Sequence, residues 1–507
     1  MSSVAAAALP SAGLSRAAAF ASLTVLTSMA TVAAIVYGNG NVIIAVAPAV
    51  LAIALGVLWF APMRIPVLTV VFLSLALDVT QEGPWNSPVA GLGALLASNL
   101  NKTLPLPLAI PGVVVILGLL LAVHTHRTLR RIQTDNLGRV PAASASTLSL
   151  ATSILAVLGL CAVGAKAGGD MRMAKIQVQT FVAVLLFAYL VARAMRGIGD
   201  YRVMGGLILA AACIKSVYAI YVIKVVRPAF ESMNGAYSTT HGDSMLFAAG
   251  TVMLIVWFAE RPSLRTGVCC AVLLPLLALG MFYNYRRLVW VEVVAALLLY
   301  WVTSHRSKVK RFVLYVVLAS LPLGVGYIAA GWNSSARIFA PVRTFRSVGD
   351  SEYDSSTMYR DLENYNLLAT LRVNMLLGTG FGHPFNEEVT LPSIASVFKE
   401  YRYMPHNSLL GLWAYSGALG FSGLMAALVV AVYLAARTYR LARGADERIV
   451  SFMAMGIIVI YLVHCWGDIG FSERKSIFLL GPALAAAGQL AVATGAWRAR
   501  AVTRVRG

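Results

Sequence analysis

The chain alternates between long apolar runs and short polar breaks. Apolar runs cover residues 18–37, 41–61, 65–78, 107–123, 147–167, 176–192, 203–222, 244–259, 266–284, 288–303, 312–330, 406–436, 449–466 and 476–493. A helix that crosses the hydrocarbon core of a bilayer needs about 20 apolar residues. Most of these runs come close to that length, and the run at 65–78 is the shortest. The pattern predicts an all-α polytopic membrane protein with about fourteen transmembrane helices, twelve being the lower alternative. Residues 87–100 are apolar but interrupted by glycine, which predicts a re-entrant or interfacial segment in place of a span.

Composition removes the competing class. Hydrophobic residues make up 59% of the 507-residue chain and charged residues 12%, with a mean hydropathy of +0.76. Soluble domains carry about 25% charge, so a set of water-soluble domains is excluded. The formal net charge of +20 raises nucleic acid as a partner, but the basic residues stand in short clusters between apolar runs. Examples are Arg127, Arg130, Arg131 and Arg139, then Arg193, Arg196 and Arg202, then Arg306, Lys308, Lys310 and Arg311. These clusters fall on alternate connections, as the positive-inside rule requires. The expectation is a lipid bilayer as surroundings, no nucleic acid, and both termini in the cytoplasm. All five cysteines, Cys161, Cys213, Cys269, Cys270 and Cys465, lie in apolar runs without zinc-type spacing. The Ala-rich start runs straight into the first span, and no cleavable signal is expected there.

One connection stands apart. Residues 331–405 form a polar loop with seven basic and eight acidic residues, on the outer side by the same charge argument. A loop of this length in a compact protein is normally functional or disordered, and helix-like patches at 362–377 and 394–403 favour order. The loop divides the chain into an N-terminal transmembrane bundle (1–265), a region containing the loop (266–436), and C-terminal helices with a basic tail (437–507). No internal repeat is evident.

Candidate chemistry gathers around this loop. A hairpin between two spans reads Tyr283-Asn284-Tyr285-Arg286-Arg287-Leu288. The loop carries Arg360 after a Ser-Ser-Thr run, then Leu377-Gly378-Thr379-Gly380-Phe381-Gly382, and closes on Pro405-His406-Asn407-Ser408-Leu409-Leu410. A Gly-x-x-Gly spacing follows at Gly417 and Gly420. With this ordered set, about residues 266–436 resemble the O-antigen ligase and polymerase family of bacterial envelope glycosyltransferases. That resemblance implies an active site on the periplasmic face of the inner membrane. It also implies an undecaprenyl (polyprenyl) diphosphate-linked glycan donor and an acceptor glycan, either lipid A–core or another lipid-linked chain. The reaction it implies is a metal-independent, inverting transfer without a cofactor.

The residues suit that chemistry. A diphosphate at a membrane surface is concentrated negative charge, and arginine binds it bidentately while staying charged under partial burial. Arg286 and Arg287 sit at head-group height against the positive-inside gradient; a snorkelling interfacial anchor is the plainer alternative, and family spacing favours Arg287 of the two. Arg360 opens a capped helix start and is read either as a diphosphate ligand or as a surface ion pair with Asp361 or Glu363. His406 is the candidate catalytic base, since imidazole exchanges protons near neutrality, and Asn407 reads as a helix cap more than a catalyst. Gly378, Gly380 and Gly382 allow backbone N–H groups to approach phosphate, or simply form a tight turn. Lys215 lies about two turns inside the seventh span, where a cation is a functional candidate by default; with Lys224 and Arg227 it would extend the diphosphate site. Glu292 and His464 are intramembrane without an evident partner. His124 and His126 read as interfacial, and Asp350, Glu352 and Asp354 as solvated loop charge more than a cation site. No metal site is expected. The alternative function is a flippase or transporter of lipid-linked saccharides. Transporters, however, place charged sites near the bilayer midplane, whereas here charge gathers at the outer face.

Overall fold

The computed structural model describes residues 11–37, 42–77, 111–129, 141–229, 238–305, 308–339, 342, 346, 355–396 and 398–498. Among them the protein is all-helical, with fifteen helices and no strands. In chain order these are α1 (Ser11–Tyr37), α2 (Val42–Phe60), α3 (Arg64–Ala76), α4 (Gly112–Leu129), α5 (Ser144–Lys166), α6 (Met171–Ala194), α7 (Ile198–Tyr221) and α8 (Asp243–Glu260). They continue with α9 (Leu264–Asn284), α10 (Leu288–Thr303), α11 (Lys308–Gly331), α12 (Ser355–Val373), α13 (Ser408–Leu441), α14 (Ala445–Gly467) and α15 (Lys475–Ala493). Each of the fourteen apolar runs coincides with a helix, and the fifteenth, α12, belongs to the long loop. Nine helices among the described residues are long and apolar enough to cross a membrane: α4 to α9 and α13 to α15. α3 and α10 are apolar but shorter. Residues 87–100, the expected re-entrant segment, lie outside the described residues. So do Asp350, Glu352 and Asp354.

The innermost helix is α15, with every residue from Lys475 to Ala491 buried. Its small residues explain how neighbours close around it. In lipid there is little hydrophobic drive between helices, so close backbone approach through Gly and Ala supplies dispersion contacts instead. Gly481 lies against Phe187 of α6, and Gly488 against Ser146 of α5. The same device brings α7 to α8 at Gly250 and Ala212, and to α9 at Gly280 and Ser216. A continuous buried core therefore runs through Val184, Phe247, Leu428, Ile458 and Leu480, from five different helices.

Ion pairs among the described residues gather at the two ends of the bundle. At the end away from the long loop, Glu260 accepts from Arg448 Nε (2.6 Å), Tyr439 (2.5 Å) and Tyr300 (3.0 Å), joining α8, α10, α13 and α14. The other end carries the long loop.

The long loop is ordered where it is described, though not as its hydropathy predicted throughout. The patch at 362–377 is helical to Val373 and then turns; the patch at 394–403 is a series of turns with no helix among its described residues. Its backbone is held by side chains instead. Asn366 bonds Val389 in both directions (2.7 and 2.9 Å), and Thr370 accepts from the Asn386 N–H at 2.8 Å.

Candidate functional site

His406 sits between α12 of the loop and the start of α13. Its neighbour Asn407 caps α13, accepting the Leu410 N–H at 3.0 Å, the capping role its sequence position predicts. Glu363, one turn beyond Tyr359 on α12, is fully buried and holds His406 twice. One carboxylate oxygen accepts the His406 backbone N–H at 2.8 Å; the other lies 3.3 Å from the ring Nδ1. The Tyr359 ring meets the imidazole edge to face at 5.8 Å, and its buried hydroxyl finds no acceptor among the described residues. The His406 side chain keeps 23% of its surface exposed.

Arg360 lies on the same side of α12 as Glu363, one turn nearer the N-terminus. Glu363 is fully buried and turns both carboxylate oxygens to His406.

The glycine turn docks the loop onto α13. Gly378, Gly380 and Gly382 all have left-handed φ, +69°, +79° and +97°, which only glycine adopts freely. Their N–H groups donate to Asn374 O (2.8 Å), Tyr415 O (2.9 Å) and Gln177 Oε1 (2.7 Å). The turn reaches three helices at once, and a Cβ on any of the three glycines would strike backbone. With its N–H groups engaged on protein acceptors, its geometry is that of the tight turn. α13 is broken at its contact: Gly417 has φ 59° and ψ −173°. The groups this break frees are met by the incoming loop, since Ala418 N–H donates to Met375 O (2.8 Å) and Leu419 N–H to Leu376 O (3.1 Å).

The arginine hairpin is anchored at the same end. Asn284, at the close of α9, accepts from Thr239 (2.5 Å) and donates to Ser244 (3.1 Å), while Ser238 donates to Tyr283 O (2.7 Å). Tyr285 then takes a left-handed φ of 57°, turning the chain at once into α10 with Arg286 and Arg287 half-buried at the corner. The segment before α8 links this hairpin onward, because His241 pairs through Nδ1 with Asp468 in the α14–α15 connection. Asp468 O in turn accepts from Ser408, two residues beyond His406 (3.1 Å). Burial pushes the Asp468 carboxyl up, but the hydrogen bond and charge of His241, with the charge of His464 behind, hold it well below the usual carboxylate range.

Beneath the hairpin lies a buried layer of charge. Lys215 is 3.8 Å from Asp243, which also takes Lys475 at 2.6 Å. Glu292 and His464, for which the sequence offered no partner, face each other at 2.7 Å. Lys224 lies 5.6 Å from the Tyr283 ring in a π-turn (Val222–Val226) that ends α7. Asp243, His241, Asp468 and Lys475 carry no motif in the sequence. The available signal was positional: Asp243 and Lys475 each open an apolar run at the loop end, where an ionisable group must find a partner or remain in water.

Residues 270–425 match the protein family described as O-Antigen ligase. This region is O-antigen ligase-like. The match covers just under a third of the chain and takes in Arg286, Arg287, Arg360, the glycine turn and His406. No match to the chain is found among curated proteins.

Proposed function

We propose that this O-antigen ligase-like protein is a membrane glycosyltransferase. In this reading it moves a glycan from a polyprenyl diphosphate carrier to an acceptor sugar hydroxyl at the periplasmic face of the inner membrane. What carries this reading is that four residues from three separate segments share one end of the bundle, inside the family-matched region. Arg286 and Arg287 come from the α9–α10 hairpin, Arg360 from α12, and His406 from the mouth of α13.

The donor diphosphate is bound by Arg287, with Arg286 and Arg360 completing a basic rim and Lys215 lending positive charge from the layer beneath. His406 takes the proton of the acceptor hydroxyl as its oxygen attacks the anomeric carbon. The bond from that carbon to the diphosphate oxygen breaks, and the electron pair leaves with the diphosphate. One displacement inverts the anomeric configuration, and the arginines stabilise the leaving charge without a general acid or metal. A flippase is the weaker alternative, because the half-buried arginines at this end share it with a candidate base.

Two experiments test the proposal. The glycan profile of a deletion strain separates the options. Long lipid-linked chains persisting while none reach lipid A–core indicate a ligase, and single repeat units alone a polymerase. Lipid-linked glycan retained on the inner leaflet indicates a flippase. With purified protein and a lipid-linked donor, His406→Ala is expected to lose about 10²–10⁴-fold in transfer while still binding donor, because proton transfer acts in the transition state. Arg287→Lys is expected to weaken both donor binding and turnover, since a point charge does not reproduce a bidentate contact. Near-normal transfer by correctly inserted His406→Ala protein removes the base role.

A further inference from the structure

We infer that Glu363 is a positioning residue for His406, setting which ring nitrogen is free to accept a proton; this rests on the reading of His406 as the base. A carboxylate offers only acceptors. The nitrogen that faces it, Nδ1 at 3.3 Å, is therefore the protonated one, and Nε2 is left with a lone pair. That is the tautomer a base acting through Nε2 needs.

Three further observations make this more than a chance contact. Both Glu363 oxygens serve the same residue, one on the ring and one on the backbone N–H, so ring and main chain are fixed together. Glu363 has no exposed surface while the His406 side chain retains 23%, which sets the carboxylate deeper in the protein than the imidazole it holds. The helix bearing Glu363 is itself pinned through Asn366 and Thr370, and Tyr359 closes one side of the ring. When the imidazole takes a proton, the buried carboxylate also faces the positive charge that develops, in the manner of a base–orienter pair.

A purely architectural role is the competing explanation, with Glu363 serving only to bond the backbone before α13. The two differ in what they ask of a substitute. Glutamine matches the shape and still accepts the His406 N–H, but its amide NH₂ then faces Nδ1 and favours the opposite tautomer. Aspartate matches the charge but not the length.

The test uses the purified full chain with a polyprenyl diphosphate-linked donor, reading transfer rate and donor binding separately per correctly inserted protein. Glu363→Gln is expected to lose about 10²-fold in turnover with donor affinity within about twofold of wild type, since donor binding falls to the arginines. Glu363→Asp should retain more turnover than Glu363→Gln. In a His406→Ala background, Glu363→Gln should cost nothing further, because a residue acting through His406 has nothing left to position. Near-normal turnover of Glu363→Gln overturns the inference, as does a Gln variant equal to or better than Asp, or an added loss in the double variant. The Asp–Gln ranking decides where the His406→Ala rate falls below detection. Normal transfer by His406→Ala defeats the base reading instead, while a severe His406→Ala defect beside a near-normal Glu363→Gln defeats only the inference.

Discussion

His406 and His464 each set Nδ1 against a glutamate, yet only one can meet a substrate. The His464 side chain is 1% exposed and its Glu292 partner fully buried, whereas the His406 side chain keeps 23% of its surface exposed. Burial thus separates a group able to exchange protons with a bound hydroxyl from one that serves packing and charge balance. Asp468 lends itself to a pH test. Because its carboxyl is held below its ordinary range, its contribution to stability is present above the unfolded-chain value of about 3.9 and is lost as pH falls through the folded value. In detergent, Asp468→Asn should therefore unfold at a lower temperature than wild type near neutrality. That gap should shrink progressively as pH falls below about 3.9, where the unfolded chain begins to take up the proton that the native carboxyl still refuses. A gap of the same size at both pH values would show that the ionised carboxylate is not what stabilises the connection.

At the scale of elements, the break in α13 decides where the site lies. An unbroken α13 would bond Tyr415 O and the Ala418 and Leu419 N–H groups internally; the break offers them to the loop, and the loop's glycine turn takes them. That junction carries the loop segment leaving α12, and α12 carries Glu363 to His406. The backbone at Gly417 lies in a region that is essentially glycine-only, and a Cβ there would come within 2.4 Å of Leu376 backbone. Gly417→Ala is expected to cost about 1–3 kcal/mol from strain alone, more with the clash, and to lower transfer although residue 417 touches no proposed substrate group. Gly159→Ala, with nothing near its Cβ, is the control and should leave both stability and transfer close to wild type. Thermal unfolding and transfer measured side by side check both; equal tolerance at the two positions would mean the break is not needed.

Among the described residues, ion pairs gather at the two ends and the middle is packed mainly through small residues and apolar cores. The network around Glu260 closes the end away from the loop by joining four helices. Its carboxylate is mostly buried while Arg448 is about a quarter exposed, so truncation strands a partly solvated charge and not a fully buried one. Glu260→Ala should destabilise the protein by about 1–3 kcal/mol while the per-molecule transfer rate of inserted protein stays near wild type. Combined with His406→Ala, the two effects should simply add, as distant sites do. Coupling beyond about 0.5 kcal/mol would reveal communication between the two ends. Calorimetry and transfer assays on the four proteins decide it.

Sequence alone settled the helical membrane architecture, because apolar runs of spanning length have one stable backbone in lipid. All fourteen runs appear as helices. It also settled which residues to watch near the loop, since a cation or imidazole at the edge of an apolar run is costly without a purpose. Local signals were enough for the Asn407 cap and the glycine turn, because both depend on a few adjacent residues. What hydropathy could not supply was partnership. Glu363 with His406, Glu292 with His464 and Asp243 between two lysines join residues 43, 172 and 232 positions apart. The helix-like patch at 394–403 has the same cause: its described residues form turns held from distant segments, Arg402 O accepting from the Phe385 N–H and Tyr403 O from Gln177. A charge in a low-dielectric interior must be met by another, but which one meets it depends on helix order and crossing, which only the tertiary structure decided.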